Sequence, residues 1–446
     1  MPGQAAPVSM SSDDSSIEVG TDFHAIQAIP DESFIELLAR HEDPTNSLGL
    51  RANCRVVKRA RGSFNLCVIL LSFEQVACAI RVPADGTREL WDRYSAWKLR
   101  SHVMTLNFVR ANTSIPVPRV IAWDETLNNV ISAPYIMMTA TPGKEAWKVW
   151  FEVFDPWGEP VLAAADNPSP QLERKRHNIL SSLASYAAQL SRLSSPAIGH
   201  LCWDARLARE AVLLGVGASR VANSRQYWHL VERNAYDNGI ASRACNKSYP
   251  LGLERLKTMI QQSVPFNRST EEGARIESFV LKHVDLDLQN ILVDDEGNIT
   301  GIIDWDNSKF MPRCIGPASL PLFLQEVGHM DTCLSRHAKI RYRHYYEEYA
   351  RQDFLNQNPL TGPTPGQGDV MYTRKSWLYE AAYRLFAVKP LYTGELLELL
   401  FKEIVKLEPG FRDLHYITIL NRLGEQTLDY PLPVLLQKAI ERLLEP

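Results

Sequence analysis

No apolar run in this chain approaches the length of about eighteen residues that a membrane-spanning helix needs, so no membrane partner is expected. The first thirty residues contain neither lysine nor arginine. They therefore lack the basic segment of a signal peptide and the arginines of a transit peptide, and the expectation is a cytoplasmic protein. Asp13, Asp14, Glu18, Asp22 and several serines in this stretch predict a disordered acidic lead-in over 1–30. Strong positive charge is also missing: the net charge of -4 leaves no electrostatic footprint for nucleic acid. The seven cysteines form no C-x-x-C pair, and no cysteine–histidine cluster has zinc-ligand spacing. Cysteines inside runs such as NLCVIL read as reduced, buried thiols. No internal repeat is present.

What the chain does have is ample apolar material: 446 residues, 45% hydrophobic and 22% charged, the make-up of an ordinary globular protein of more than one lobe. PDESFIELLAR predicts a short helix capped by Asp31 or Ser33. CRVVKRA, NLCVILLSF and QVACAIRVP follow as short runs rich in β-branched residues, separated by turns, and predict an antiparallel meander. A helix is predicted from Arg88 to about Arg110, with Leu90, Tyr94, Trp97, Val103 and Leu106 on one stripe. TSIPVPRVIAWDE and APYIMMTATPG supply two more strands. The remainder reads as helical over 171–194, 334–352, 374–407 and beyond 430, with a Pro/Gly-rich loop at 356–369.

One motif interrupts this helical half. HVDLDLQN (283–290) is followed by NILVDDEGNITGIIDWD, two apolar strands around the turn Asp294–Asn298. Read from the residues alone, Asp285, Asn290 and Asp304 are either the polar ends of a hairpin or an oxygen-ligand set for magnesium and a triphosphate. GVGAS at 215–219 lacks a framing strand, HEDP at 41–44 lacks a second histidine and HYYEEY at 344–349 lacks metal spacing, so none of these is a site.

The order strand, RGSFN turn, two strands, helix, two strands, then helices with H-x-D-x-x-x-x-N and I-D-W-D resembles the protein-kinase-like superfamily. More closely it is similar to the aminoglycoside phosphotransferase (choline-kinase-like) family of the fungal type, over roughly residues 50–330. H-R-D, D-F-G and A-P-E are missing, which sets it apart from protein kinases. The resemblance implies a two-lobed α+β fold: an N-lobe over 31–141 with a five-stranded antiparallel sheet and one helix, and a mainly helical C-lobe over 142–446 containing the catalytic loop and metal hairpin (283–306). It implies an ATP- and Mg2+-dependent phosphotransferase, a small-molecule kinase acting on a hydroxyl group. The alternative is a catalytically inactive kinase-fold protein that binds nucleotide or a partner.

Residue by residue, the resemblance makes Asp285 the acceptor of the substrate hydroxyl proton, with Asn290 beside it in the catalytic loop. Asn290 and Asp304 become magnesium ligands. Gly62, Ser63, Phe64 and Asn65 form the turn over the phosphates, and Met138, Thr139 and Ala140 the backbone that meets adenine. Arg81 takes the place of the family's phosphate-gripping lysine, and His283 holds the loop. Two positions depart from the family. His102 stands where the helix should present a glutamate to the strand cation, and as an imidazolium it would repel Arg81; Glu89 and Asp92 are the nearest substitutes. Asp287 is an acid where a cationic or imidazole group is usual, facing either a cationic substrate or solvent. Asp306 reads as a second metal ligand or, preferably, a polar loop residue. Seven acids between 285 and 306 would suit a cationic acceptor, although three of them belong to the hairpin tip and read as solvated; Tyr345, Tyr346, Glu347, Glu348 and Trp377 read as linings of the acceptor pocket or, preferably, as residues of amphipathic helices.

Overall fold

The structure, a computed structural model, describes residues 23–445 apart from 74, 159, 205–208, 214–220, 238–247, 264–265, 267–276, 326–333, 357–368 and 388–393. The first 22 residues of the expected acidic lead-in, the GVGAS stretch and nearly all of the Pro/Gly-rich loop lie outside the described residues. The chain divides into two compact units. One comprises residues 1–182, 200–218 and 283–309; the other comprises 183–199, 219–282 and 310–446.

The first unit holds the expected antiparallel sheet. Its strands are β1 (Cys54–Arg61), β2 (Asn65–Ser72), β3 (Gln75–Pro83), β4 (Val120–Asp124) and β5 (Tyr135–Met138), in the order β1-β2-β3-β5-β4. Alternation along β2 puts Leu66, Val68 and Leu70 into a core with Ile80, Val82 and Met137, each nearly inaccessible. Burying one such side chain is worth about 1.5–3 kcal/mol. Helix α1 (Asp31–Glu42) closes this core with Phe34, Leu37 and Leu38, and Phe23 and Ile26 join it ahead of the helix. Neither expected cap forms. Pro30 occupies the N-cap position, and Asp31 instead pairs with Arg59 of β1, whose guanidinium also donates to the Gln27 and Ile29 carbonyls.

Cys78, at the centre of β3, is fully buried, and desolvation pushes its thiol up to about 12. Since the thiolate is the nucleophile, Cys78 should resist iodoacetamide at pH 8 in the native protein and label once urea unfolds it. Mass spectrometry of the tryptic peptides reads this directly, and native labelling of Cys78 would contradict the packing.

Helix α2 runs Arg93–Asn112, five residues later than predicted from periodicity. Thr87 to Trp91 form turns, Asp92 caps the helix by accepting from the Ser95 N–H at 2.8 Å, and Ser95 Oγ donates to Asp85. Leu90, ahead of the helix, and Tyr94, in its first turn, are exposed, while Trp97, Val103 and Leu106 are buried as expected. An unpredicted hairpin, His200–Asp204 paired with Arg209–Leu213, packs on α2: Cys202, Ala211 and Leu213 cluster with Trp97, which also meets the His200 ring edge-on.

Beyond β5 the chain enters a second, three-stranded sheet. Lys144–Glu145 pairs with β6 (Ile291–Val293), which pairs with β7 (Ile299–Ile302). The turn between β6 and β7 is organised by Asp294. Its carboxylate accepts from the Glu296 and Asn298 N–H groups and from the Asn298 amide. Gly297 sits there at φ +81°.

The second unit is mainly helical among its described residues. It includes Ser224–Asp237, α3 (Ser248–Gln262), Arg336–Asn356, Ser376–Ala387, Gly394–Leu407, α4 (Tyr416–Glu425) and Leu432–Leu444. Trp228, Phe266, Tyr379, Tyr383 and Phe386 form an aromatic core with edge-to-face contacts. Of the residues suggested as acceptor lining, Tyr346 is buried, Glu348 pairs with Arg351, and Tyr345, Glu347 and Trp377 are half-buried on their helices.

Candidate active site

The motif residues come together at one end of the β6–β7 hairpin. Pairing of Ile291 with Ile302 continues outward: the Ile303 N–H donates to the Asn290 carbonyl at 2.9 Å, which brings Asp304 alongside the 283–290 loop. Three further contacts hold this strand end. The Ile302 N–H donates to the Pro116 carbonyl at 2.8 Å, Trp305 Nε1 donates to the Ile302 carbonyl, and His283 Nε2 donates to the Ile303 carbonyl at 2.9 Å. Trp305 and His283 are buried and meet edge-to-face at 4.8 Å. Because a carbonyl can only accept, His283 carries its proton on Nε2. Burial disfavours a second proton and holds its pKa below the ordinary value, so the ring is a neutral strut. Asp304 itself has φ +61°, a left-handed conformation uncommon outside glycine, asparagine and aspartate. Such backbones persist where the surroundings over-determine them, often at functional positions.

Asp285 and Asn290 are in direct contact. Asn290 Nδ2 donates to Asp285 Oδ2 and to the Asp285 carbonyl, both at 2.8 Å. Both partners are acceptors, which fixes the amide orientation: Asn290 Oδ1 is the end turned away from Asp285. Asp287 was expected to face a cation or solvent. It is instead buried, and its carboxylate accepts from the Leu288 N–H to cap the short 3-10 turn Leu288–Asn290. It shapes the loop that presents Asn290.

Arg81 lies on β3 opposite Cys67, on the sheet face that carries Ala79 and Met138. Its guanidinium donates to Asp304 Oδ1 at 3.0 Å and pairs with Asp306 Oδ2. Burial alone would lower its pKa, but Asp304 and Asp306 more than offset that and raise it. Asp306 is not a bystander of the loop. It also accepts from His102 Nδ1 at 2.6 Å and from Asn65 Nδ2 at 3.4 Å. Burial would raise its pKa; Arg81, His102 and Asn65 reverse this and hold it well below the usual carboxylate range. The anticipated repulsion between His102 and Arg81 does not arise, since Asp306 stands between them. Neither proposed substitute fills the glutamate's place: Asp92 caps its helix and Glu89 is exposed. The clue in the sequence was the second acid of I-D-W-D, two residues after Asp304.

The turn Arg61–Asn65 is closed by the Gly62 N–H donating to the Asn65 carbonyl at 2.9 Å, and Phe64 at its tip is exposed. Ser63 lies between them in the same turn. Of the expected adenine-contacting backbone, the Thr139 N–H is already committed to the Arg119 carbonyl at 2.9 Å, so it cannot donate to a base. Met138 is buried on the Arg81 side of the sheet, and Ala140 packs beside it.

Among the described residues no group of three or more His, Cys, Asp or Glu side chains could hold an ion unaided. Magnesium is ordinarily held by one or two carboxylates together with waters and substrate phosphates. The hard oxygens of Asn290 and Asp304 fit that chemistry.

The sequence model of the phosphotransferase enzyme family (APH) matches residues 98–320, half of the chain. Altered inheritance of mitochondria protein 9, mitochondrial, from Candida glabrata is 26% identical over 145 residues, which are 31% of this chain and 22% of that protein. A subtelomeric hrmA-associated cluster protein of Aspergillus fumigatus is 30% identical over 100 residues, 22% of this chain and 18% of that protein. The matched stretches thus span less than a quarter of either relative's length. Among solved structures, a putative aminoglycoside phosphotransferase from Ralstonia eutropha is similar with a TM-score of 0.44 and 13% identity, covering 89% of this chain and 98% of that one. Choline kinase from Cryptosporidium parvum gives 0.44 and 12%, covering 93% and 98%. By its motif order and by the family match over half its length, the chain belongs to the phosphotransferase enzyme family.

Proposed function

We propose that this protein transfers the γ-phosphoryl group of Mg-ATP to a hydroxyl of a small molecule. The observation that carries the reading is the meeting of Asp285, Asn290 and Asp304 at one hairpin end, with the Asn290 amide oriented by Asp285. Phosphoryl transfer asks a protein chiefly for positioning and charge stabilisation. In this reading Asn290 Oδ1 and the Asp304 carboxylate hold magnesium, which when bound neutralises charge on the β- and γ-phosphates. Arg81 forks onto phosphate oxygens, a geometry that suits a guanidinium. The turn Gly62–Asn65 covers the phosphates, and the adenine lies against Met138 and Ala140. Asp285 has one carboxylate oxygen engaged by Asn290 and uses the other to accept the acceptor's hydroxyl proton. We propose no charge preference for the acceptor, because five of the seven acids that favoured a cation are internally engaged: Asp287 and Asp294 by backbone, Asp295 by Lys144, Asp304 and Asp306 by Arg81.

Thermal stability with nucleotide tests the reading. Mg-ATP at a hundred times its dissociation constant should stabilise the protein by about 2.7 kcal/mol. The stabilisation should require magnesium and vanish in Asp304→Asn, a substitution that keeps a residue tolerant of the left-handed backbone. No shift at millimolar Mg-ATP would sink the proposal. A shift without turnover on any of a panel of hydroxyl compounds would favour a nucleotide-binding protein without catalysis, a reading motivated by the missing helix glutamate.

A further inference from the structure

The charge arrangement around Arg81 has a polarity of its own. The strand cation meets no acid on helix α2; the acid comes from the segment after β7, and the helix contributes a hydrogen-bond donor. Asp306 collects three donors from three elements: Arg81 of β3, His102 of α2 and Asn65 at the end of the phosphate-side turn. His102 is only 5% exposed, on a helix further fixed by Trp97 against the 200–213 hairpin. Arg81 is 14% exposed and Asp306 35%, so the side open to solvent is that of the carboxylates. An arginine spanning two carboxylates has its rotamer set before any ligand arrives, which removes an ordering cost from later phosphate binding.

We propose that His102 and Asp306 are positioning residues that hold Arg81 where it meets the nucleotide phosphates, with Asp306 serving as a tether between α2 and β3 and not as a metal ligand. This rests on the nucleotide-site reading above. The tether acts on phosphates alone: a nucleoside has nothing for Arg81 to grip. Loss of the tether therefore weakens Mg-ATP and leaves adenosine as it was, whereas general loosening of the fold weakens both.

The test measures affinity for Mg-ATP by calorimetry and for adenosine by saturation-transfer NMR in five proteins: the parent, Asp306→Asn, His102→Leu, His102→Asn and the His102→Leu/Asp306→Asn double variant. Asp306→Asn and His102→Leu should each weaken Mg-ATP about tenfold or more, the scale of a lost charge-assisted hydrogen bond, with adenosine unchanged. His102→Asn places an amide N–H near the former Nδ1 and should recover most of the affinity. The His102→Leu/Asp306→Asn double variant should be no weaker than the worse single one, because both break one link. Parallel losses for both ligands, or none for either, overturn the assignment while the nucleotide site stands. A parent that binds neither ligand removes the site reading and this assignment together.

Discussion

Asp285→Asn should lower turnover between about a hundredfold and ten-thousandfold, the range a positioned general base supplies. Affinity for Mg-ATP should change little, because in the proposed function the substitution removes a charge that would face the acceptor hydroxyl while keeping the volume. The contact geometry sharpens this expectation. Asn290 Nδ2 already donates to Asp285 Oδ2, and an asparagine at 285 can turn its own carbonyl oxygen to the same donor. The loop is then kept, the Asn290 oxygen still points away, and the missing function is proton acceptance alone. Steady-state kinetics on the acceptor that the panel identifies would check it. Turnover undiminished by Asp285→Asn would remove the proton-acceptor role; a loss confined to KM for ATP would move the residue into nucleotide binding instead.

The legible parts of this molecule are those set by neighbours in sequence. β1, β2, β3 and the β6–β7 hairpin could be read because β-branched residues, alternation and turn chemistry all act over a few positions. Asp285 and Asn290 were singled out by the resemblance of H-x-D-x-x-x-x-N to the family motif, and their contact follows from a five-residue separation that closes in a tight loop. Asp306 could not: its partners Asn65, Arg81 and His102 lie 241, 225 and 204 positions away in the chain. Sequence gives the residue types but not which of them meet, and a histidine at the glutamate's position looked like a defect until the acid appeared from another strand end. Local reading also failed where two local signals competed. Periodicity extended α2 back to Arg88, whereas the Asp92–Ser95 capping pair stops it at Arg93. Asp31, an apt N-cap residue, is instead the first residue of the helix behind Pro30 and pairs with Arg59. The 200–213 hairpin escaped because HLCWD and REAVL are short and carry no strong alternation.

Gly252→Ala and Gly424→Ala should each destabilise the helical unit by about 3 kcal/mol or more, the upper range for forcing extra atoms into a filled contact. Gly252 lies inside α3 and Gly424 is the last but one residue of α4; glycine within a helix costs up to about 1 kcal/mol relative to alanine, so on propensity alone neither substitution would destabilise. Packing reverses the sign. A Cβ on Gly252 would stand 1.8 Å from the Leu420 carbonyl oxygen, and a Cβ on Gly424 would stand 1.9 Å from the Ser248 carbonyl oxygen. The obstacles are backbone atoms, which cannot rotate aside as a side chain can. Each glycine thus admits the other helix's main chain, and α3 and α4 cross at backbone distance. Arg255, which donates to the Leu423 carbonyl, and Ser248, which donates to Glu425 at 2.8 Å, lock the same crossing from either side. Because one separation between the helices relieves both clashes, the double variant should lose clearly less than the sum of the single losses. Urea denaturation of the two single variants and the double one measures this. Additive losses would mean that the two contacts open independently; a gain in stability from either single variant would contradict the crossing itself.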